Sequence, residues 1–127
     1  MKEKFHIQLK KFELQALNFI KKEDYDGKEL EIEPDYKVFI EKKEAATKEA
    51  FIYITIENEY FDLKTVVKAY FVDEENSNID NQKLSKIILS LILPLARPII
   101  YQTLLQSNMQ GIILPTLDIQ RHIKSDD

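Results

Sequence analysis

Between Phe5 and Val72 the apolar residues recur with a period near two, and between Asp80 and Gln110 with a period near 3.6. Side chains alternate across a strand and return every 3.6 residues on a helix, so each period selects one backbone. A chain that changes period once reads as α+β, strands first and helix second. The polar stretch Asp73 to Asn81 (DEENSNIDN) joins the two parts. A link of about nine residues does not demand a second domain. With 127 residues, one domain over 1–127 is expected. It divides into a strand-rich meander at 1–72, a helical part at 80–110, and an extended segment and tail at 112–127.

The first strand starts with Phe5, Ile7 and Leu9 on odd positions and continues with Phe12, Leu14 and Ala16 on even ones. Strict alternation cannot do this, so a β-bulge or break is predicted near Lys10 and Lys11. Lys21 to Glu31 is polar, contains Gly27 and reads as a loop. Pro34 belongs at a strand start or an edge. Tyr36 to Lys42 is the second strand, with Val38 and Ile40 on one face; Glu44 to Lys48 is a turn. In the third strand Ala50, Ile52, Ile54 and Ile56 oppose Phe51, Tyr53 and Thr55. Asn58 and Glu59 turn into a fourth strand, where Leu63, Val67, Ala69 and Phe71 oppose Val66, Tyr70 and Val72. Short links imply an antiparallel meander.

Asp80 or Asn81 is the expected helix N-cap. Leu84, Ile87, Ile88, Leu91 and Leu95 form a stripe at helical spacing, and Leu89, Ile92 and Leu93 fill its flanks. A helix apolar nearly all round is buried on more than one side. Pro94 lacks a backbone donor and should break or kink the helix. A second segment would run from Leu95 to Met109, with Pro98 in its first turn and Gly111 as the stop. Ile112 to Ile119 is apolar and extended; Gln120 to Asp127 is a polar tail. Ile87 to Leu105 carries Arg97, Gln102 and two prolines, which argues against a membrane span of about 20 apolar residues.

The composition excludes several functions. Acidic residues outnumber basic ones by 22 to 18, a net charge of -4, which disfavours nucleic-acid binding. There is no cysteine, hence no thiolate nucleophile or thiolate metal site. The two glycines, Gly27 and Gly111, cannot form a phosphate-binding loop or a nucleophile elbow. His6 and His122 stand far apart without metal-ligand spacing, so no metal, cofactor or catalytic residue is expected. The carboxylates Asp24, Asp26, Glu29, Glu31 and Glu33 read as a solvated loop, and Arg97 as a helix-terminus salt bridge. The N-terminus has no apolar h-region, which points to a cytoplasmic protein.

What remains is an excess of apolar residues. A sheet covered on one face by helices should be polar on the other. Here that face would still carry Phe39, Phe51, Tyr53, Val66 and Tyr70. Phe39, Phe51, Tyr53 and Tyr70 are the candidate contacts for apolar segments of other proteins. Leu89, Ile92 and Leu93 are the candidate interface between copies, since a large apolar surface is often a subunit contact.

Three groups of residues resemble the SecB protein-export chaperone family. Phe5-His-Ile-Gln and Lys11-Phe12-Glu13 are similar to its FxIQ and SFE elements, which the family spaces further apart. Tyr36-Lys-Val-Phe-Ile, Ala50-Phe51-Ile52 and Tyr60-Phe61-Asp62-Leu63 resemble its YEV, TAFL and GIF segments. Leu93-Pro94-Leu95-Ala96-Arg97, then Leu114-Pro115-Thr-Leu-Asp118-Ile119, are similar to its FPYAR and APVNF-like elements. The resemblance implies a four-stranded antiparallel sheet with a long kinked helix, in two segments, packed on one face. It implies a dimer or tetramer and an ATP-independent holdase that binds unfolded or partly folded polypeptide in apolar grooves. The family's C-terminal lid helix and acidic tail have no counterpart. Of its acidic contacts to the SecA motor only Glu13 is matched; Leu9 and Ile54 stand at the others, which speaks against the usual docking. Shortened SecB-like proteins, including those serving toxin–antitoxin pairs, are the better comparison. The alternative is a small obligate oligomer with one specific protein partner and no general chaperone or enzymatic activity.

Overall fold

The computed structural model describes residues 7–27, 30–42, 47–73, 80–109 and 112–113. The strands are β1 (Ile7–Lys21), β2 (Leu30–Glu31), β3 (Asp35–Lys42), β4 (Thr47–Glu57), β5 (Phe61–Asp73) and β6 (Ile112–Ile113); the helix is α1 (Asn81–Gln106). His6, Glu29, Gly111, His122, most of the turn at 44–48, most of the 73–81 link and the segment from Leu114 onward lie outside the described residues.

The four long strands form one antiparallel sheet in the order β1-β5-β4-β3. The meander holds for β3, β4 and β5, but β1 lies beside β5, at the far edge from β3. β2 and β6 pair in parallel, Leu30 with Ile112 and Glu31 with Ile113, inside stretches read from sequence as loop and extended segment.

β1 shifts register between Leu9 and Lys11, where the alternation breaks, and again between Leu14 and Ala16. Each extra residue flips the strand's parity. The pairs Leu9–Phe71, Phe12–Ala69, Leu14–Val67 and Phe19–Leu63 therefore stay on one face of the sheet. At the second irregularity the hydroxyl of buried Thr65 donates to the Ala16 carbonyl at 3.0 Å. The β4–β5 turn is held by the Asn58 side chain, whose Oδ1 accepts from the amides of Tyr60 and Phe61 at 2.8 and 3.1 Å.

The helix is a single element of 26 residues. Asp80 caps it, its carboxylate accepting from the Lys83 amide at 2.8 Å. Pro94 and Pro98 lie inside it rather than dividing it into two segments. Both are exposed, as is Ser90. The carbonyls that lose their partners, those of Ser90 and Pro94, thus lie on the side that water reaches, which removes much of the penalty for an interior proline. The helix stops before the expected Gly111. Asn108 adopts φ 59°, and the amides of Met109 and Asn108 donate to the carbonyls of Leu104 and Leu105 at 2.9 and 3.1 Å. This is a Schellman stop with asparagine in the left-handed position. Met109 and Leu104 are both buried beside it.

The core lies between the helix and one sheet face. Ala50, Ile52, Ile54 and Ile56 of β4, with Phe61, Leu63, Val67, Ala69 and Phe71 of β5, meet Leu84, Ile88, Leu89, Ile92, Ala96, Ile100 and Leu104 of α1. Leu89 and Ile92 are 0% exposed and Leu93 is 4% exposed within one chain, so they are core residues and not an interface between copies. The stripe read from spacing was rotated: Leu91 and Leu95 face outward at 38% and 43% exposure. Spacing finds an apolar arc; when the helix is apolar nearly all round, only packing decides which arc meets the sheet.

Candidate functional site

Residues directly opposite each other on neighbouring strands share a face. The pairs Phe39–Phe51, Lys37–Tyr53 and Glu41–Glu49 join β3 to β4. Tyr53–Val66, Phe51–Lys68 and Glu49–Tyr70 join β4 to β5. All these residues occupy the face opposite the helix. The four aromatic residues singled out from the sequence, Phe39, Phe51, Tyr53 and Tyr70, therefore come together on one open surface.

They are not equivalent. Phe39 and Tyr53 are 51% and 40% exposed. Their rings meet edge to face, with centroids 5.3 Å apart and planes at 85°. That arrangement suits the quadrupoles of both rings and leaves broad apolar area facing solvent. Phe51 and Tyr70 are only half-exposed. The ammonium of Lys68 lies 5.4 Å from the Phe51 centroid and 5.0 Å from that of Tyr70, and it pairs with the buried carboxylate of Glu49. Lys11 approaches Tyr70 from the β1 side at 5.6 Å and pairs with Glu13 at 3.6 Å. The open face thus has a charged half toward β1, where rings are engaged by cations. Its other half, toward β3, carries the accessible rings.

A second apolar surface runs along the outside of α1, where Leu91, Leu95, Tyr101 and Leu105 are exposed. Sequence reasoning missed Tyr101 and Leu105 and put Leu91 and Leu95 in the core. The signal was present in the prolines, since Pro94 and Pro98 are tolerated best on the solvent side. By length and composition Gln82–Gln106 would also pass as a membrane span, although its opposite side packs on the sheet.

A cleft of about 440 Å³ lies near the β4–β5 turn, lined by Leu30, Ile32, Glu33, Pro34, Asp35, Glu57 and Asn58. Its carboxylates are not gathered for metal binding; among the described residues no group of three or more His, Cys, Asp or Glu is placed to hold an ion. Arg97 lies within the helix, not at a terminus. Its positive charge opposes the effect of burial on Tyr36, whose phenol pKa is nonetheless raised above 10.0, burial being the larger cause.

No family model matches the chain, and no curated protein matches it in sequence. Among solved structures it resembles the SecB-like chaperone Rv1957 of Mycobacterium tuberculosis, determined in complex with a ChAD peptide from the Rv1956 HigA1 antitoxin. The TM-score is 0.65 at 14% identity, over 89% of this chain and 86% of that one. The four-stranded antiparallel sheet with one helix on a single face is therefore the fold of a SecB-like chaperone.

Proposed function

We propose that this chain is a cytoplasmic, ATP-independent chaperone that holds non-native polypeptide through apolar contacts on the open face of its sheet. The observation that carries the reading is the exposed Phe39–Tyr53 pair. Apolar contact is non-directional, so it suits clients of varied sequence. Phe51 and Tyr70 extend the surface, with Lys68 setting its boundary. Assembly as a dimer or tetramer would multiply the sites and raise avidity. For that assembly the outer residues of α1, Leu91, Leu95, Tyr101 and Leu105, replace the three buried ones. The function involves no chemical step. The usual SecA docking is not expected of it, since apolar Leu9 and Ile54 stand where the family has acidic contacts.

The test is native mass spectrometry with a permanently unfolded polypeptide. The chain should bind the unfolded form and not the folded one. The double variant Phe39→Ser/Tyr53→Ser should lose about tenfold in affinity, the scale of an aromatic hot spot, while keeping its circular dichroism. Unchanged binding by the variant would sink the assignment.

A second reading has one observation in its favour: the solved structure that this fold resembles holds a peptide from one antitoxin. A chain serving one dedicated partner would ignore the unfolded polypeptide yet capture that partner stoichiometrically.

A further inference from the structure

Charge is spread unevenly over the open face. The register sets Lys37 of β3 directly across from Tyr53 on one side and Val66 of β5 on the other. Lys64 and Lys68, two residues to either side of Val66, are therefore diagonal neighbours of Tyr53 on β5. Asp35 and Phe39 are its diagonal neighbours on β3. The Tyr53 ring thus stands among three lysines and one acid, in a chain whose acids outnumber its bases by 22 to 18. Diagonal neighbours lie about 7 Å apart, within reach of long side chains.

The three lysines are not alike. Lys68 pairs with Glu49 and lies against the Phe51 and Tyr70 rings. Two further acids of this face are also matched, Glu13 by Lys11 at 3.6 Å and Asp62 by Lys22 at 3.3 Å. Lys37 and Lys64 are exposed, and among the described residues neither has a hydrogen bond or an ion pair. Asp35 stands at the end of β3 and, with Glu57, lines the cleft near the β4–β5 turn. Two unmatched ammonium groups therefore flank the accessible Phe39–Tyr53 pair.

We infer that the open face selects apolar polypeptide segments that carry a carboxylate. An aromatic or large aliphatic side chain covers the Phe39–Tyr53 pair, and an aspartate or glutamate two residues away meets Lys37 or Lys64. An extended segment sets alternate side chains on one side about 7 Å apart, which matches the diagonal step from Tyr53 to Lys64. Apolar contact supplies the affinity and the lysines supply the choice, since a cation in the carboxylate's place would meet two like charges. Single-stranded nucleic acid also carries anions, but its bases stack on open ring faces, and here the two rings meet edge to face at 85°. The inference rests on the chaperone reading of this face.

The test uses three synthetic peptides with the same phenylalanines and, two residues from each, aspartate, serine or lysine. Fluorescence anisotropy at low salt should rank aspartate above serine above lysine, with about fivefold between the first two, the scale of two exposed ion pairs. The ranking should flatten as salt is raised. The double variant Lys37→Gln/Lys64→Gln should level the three affinities while keeping its circular dichroism. Phe39→Ser/Tyr53→Ser should weaken all three peptides together. Equal binding of the three peptides by the wild type overturns the charge selection and leaves the chaperone reading standing. A ranking that survives loss of both lysines also overturns it, since the carboxylate would be read elsewhere. Binding of none of the peptides overturns this inference and the chaperone reading together. Tighter binding of oligo(dT) than of the aspartate peptide overturns the choice of a polypeptide partner.

Discussion

The two faces of the sheet are built from alternate residues of the same strands, and they solve opposite problems. On the covered face Ile52, Ile54, Leu63 and Val67 are 0% exposed and packed in one core with buried helix residues. Buried β-branched and leucine side chains there contribute roughly 1.5–3 kcal/mol each. On the open face the same strands carry rings and charges in alternation, and rings near a cation are drawn partly out of solvent. Apolar character alone does not mark a binding surface. An aromatic residue left accessible where neighbours could have covered it does.

The largest test of this contrast is a pair of phenylalanines. Phe61 is fully buried and stacked on Phe19, with centroids 5.5 Å apart. Phe61→Ala should cost about 3–5 kcal/mol, read from urea unfolding. Next is a buried ion pair on the covered face. Lys48 and Asp73 are buried and pair at 3.3 Å. Lys48→Met should cost about 3 kcal/mol, because it removes the buried cation that pairs with the Asp73 carboxylate. Should Lys48→Met prove neutral in the same urea assay, the covered face would tolerate charge as the open one does. Smaller still, Phe39→Ser on the open face should cost about 1 kcal/mol, the scale of its edge contact with Tyr53. A loss matching that of Phe61→Ala would mean that the open face is core.

The smallest effect concerns Tyr36, whose phenol is held above its ordinary pKa mainly by burial. A raised folded-state pKa means that the folded chain keeps the proton longer than the unfolded one. Its stabilising contribution is complete below pH 10 and fades as pH rises through the higher folded value. Urea midpoints at pH 8 and pH 10.5 should therefore fall less in Tyr36→Phe than in the wild type. An identical fall in both proteins would mean that Tyr36 ionises as freely as an exposed phenol.

Much of the fold was legible because local geometry leaves a periodic trace. The odd-to-even shift between Leu9 and Phe12 is the first bulge of β1. The second left no trace, because Ala16 continues an apparent alternation and a small residue is compatible with either face. The alternation in β4 and β5 put Phe51, Tyr53 and Tyr70 opposite Ile52, Ile54 and Val67, and the pairing registers agree. The helix was harder to read. Proline has a strong local penalty, so a break at Pro94 followed from propensity. The helix runs on because its buried side, with Ile88, Ile92, Ala96 and Ile100, is anchored to the sheet while the prolines face water.

By itself the sequence determined the four long strands, the helical stretch that follows them, an N-cap at Asp80 or Asn81 and the two-sided pattern of the strands, since all of these are set by neighbours a few residues apart. Only the tertiary structure decided that β1 pairs with β5 rather than β3, that β2 meets β6, and that Leu89, Ile92 and Leu93 lie inside while Leu91 and Leu95 lie outside. Those choices depend on which apolar surfaces exclude water together. Burial is proportional to area and blind to direction, so one sequence offers several equivalent ways to place an apolar arc until the whole chain packs.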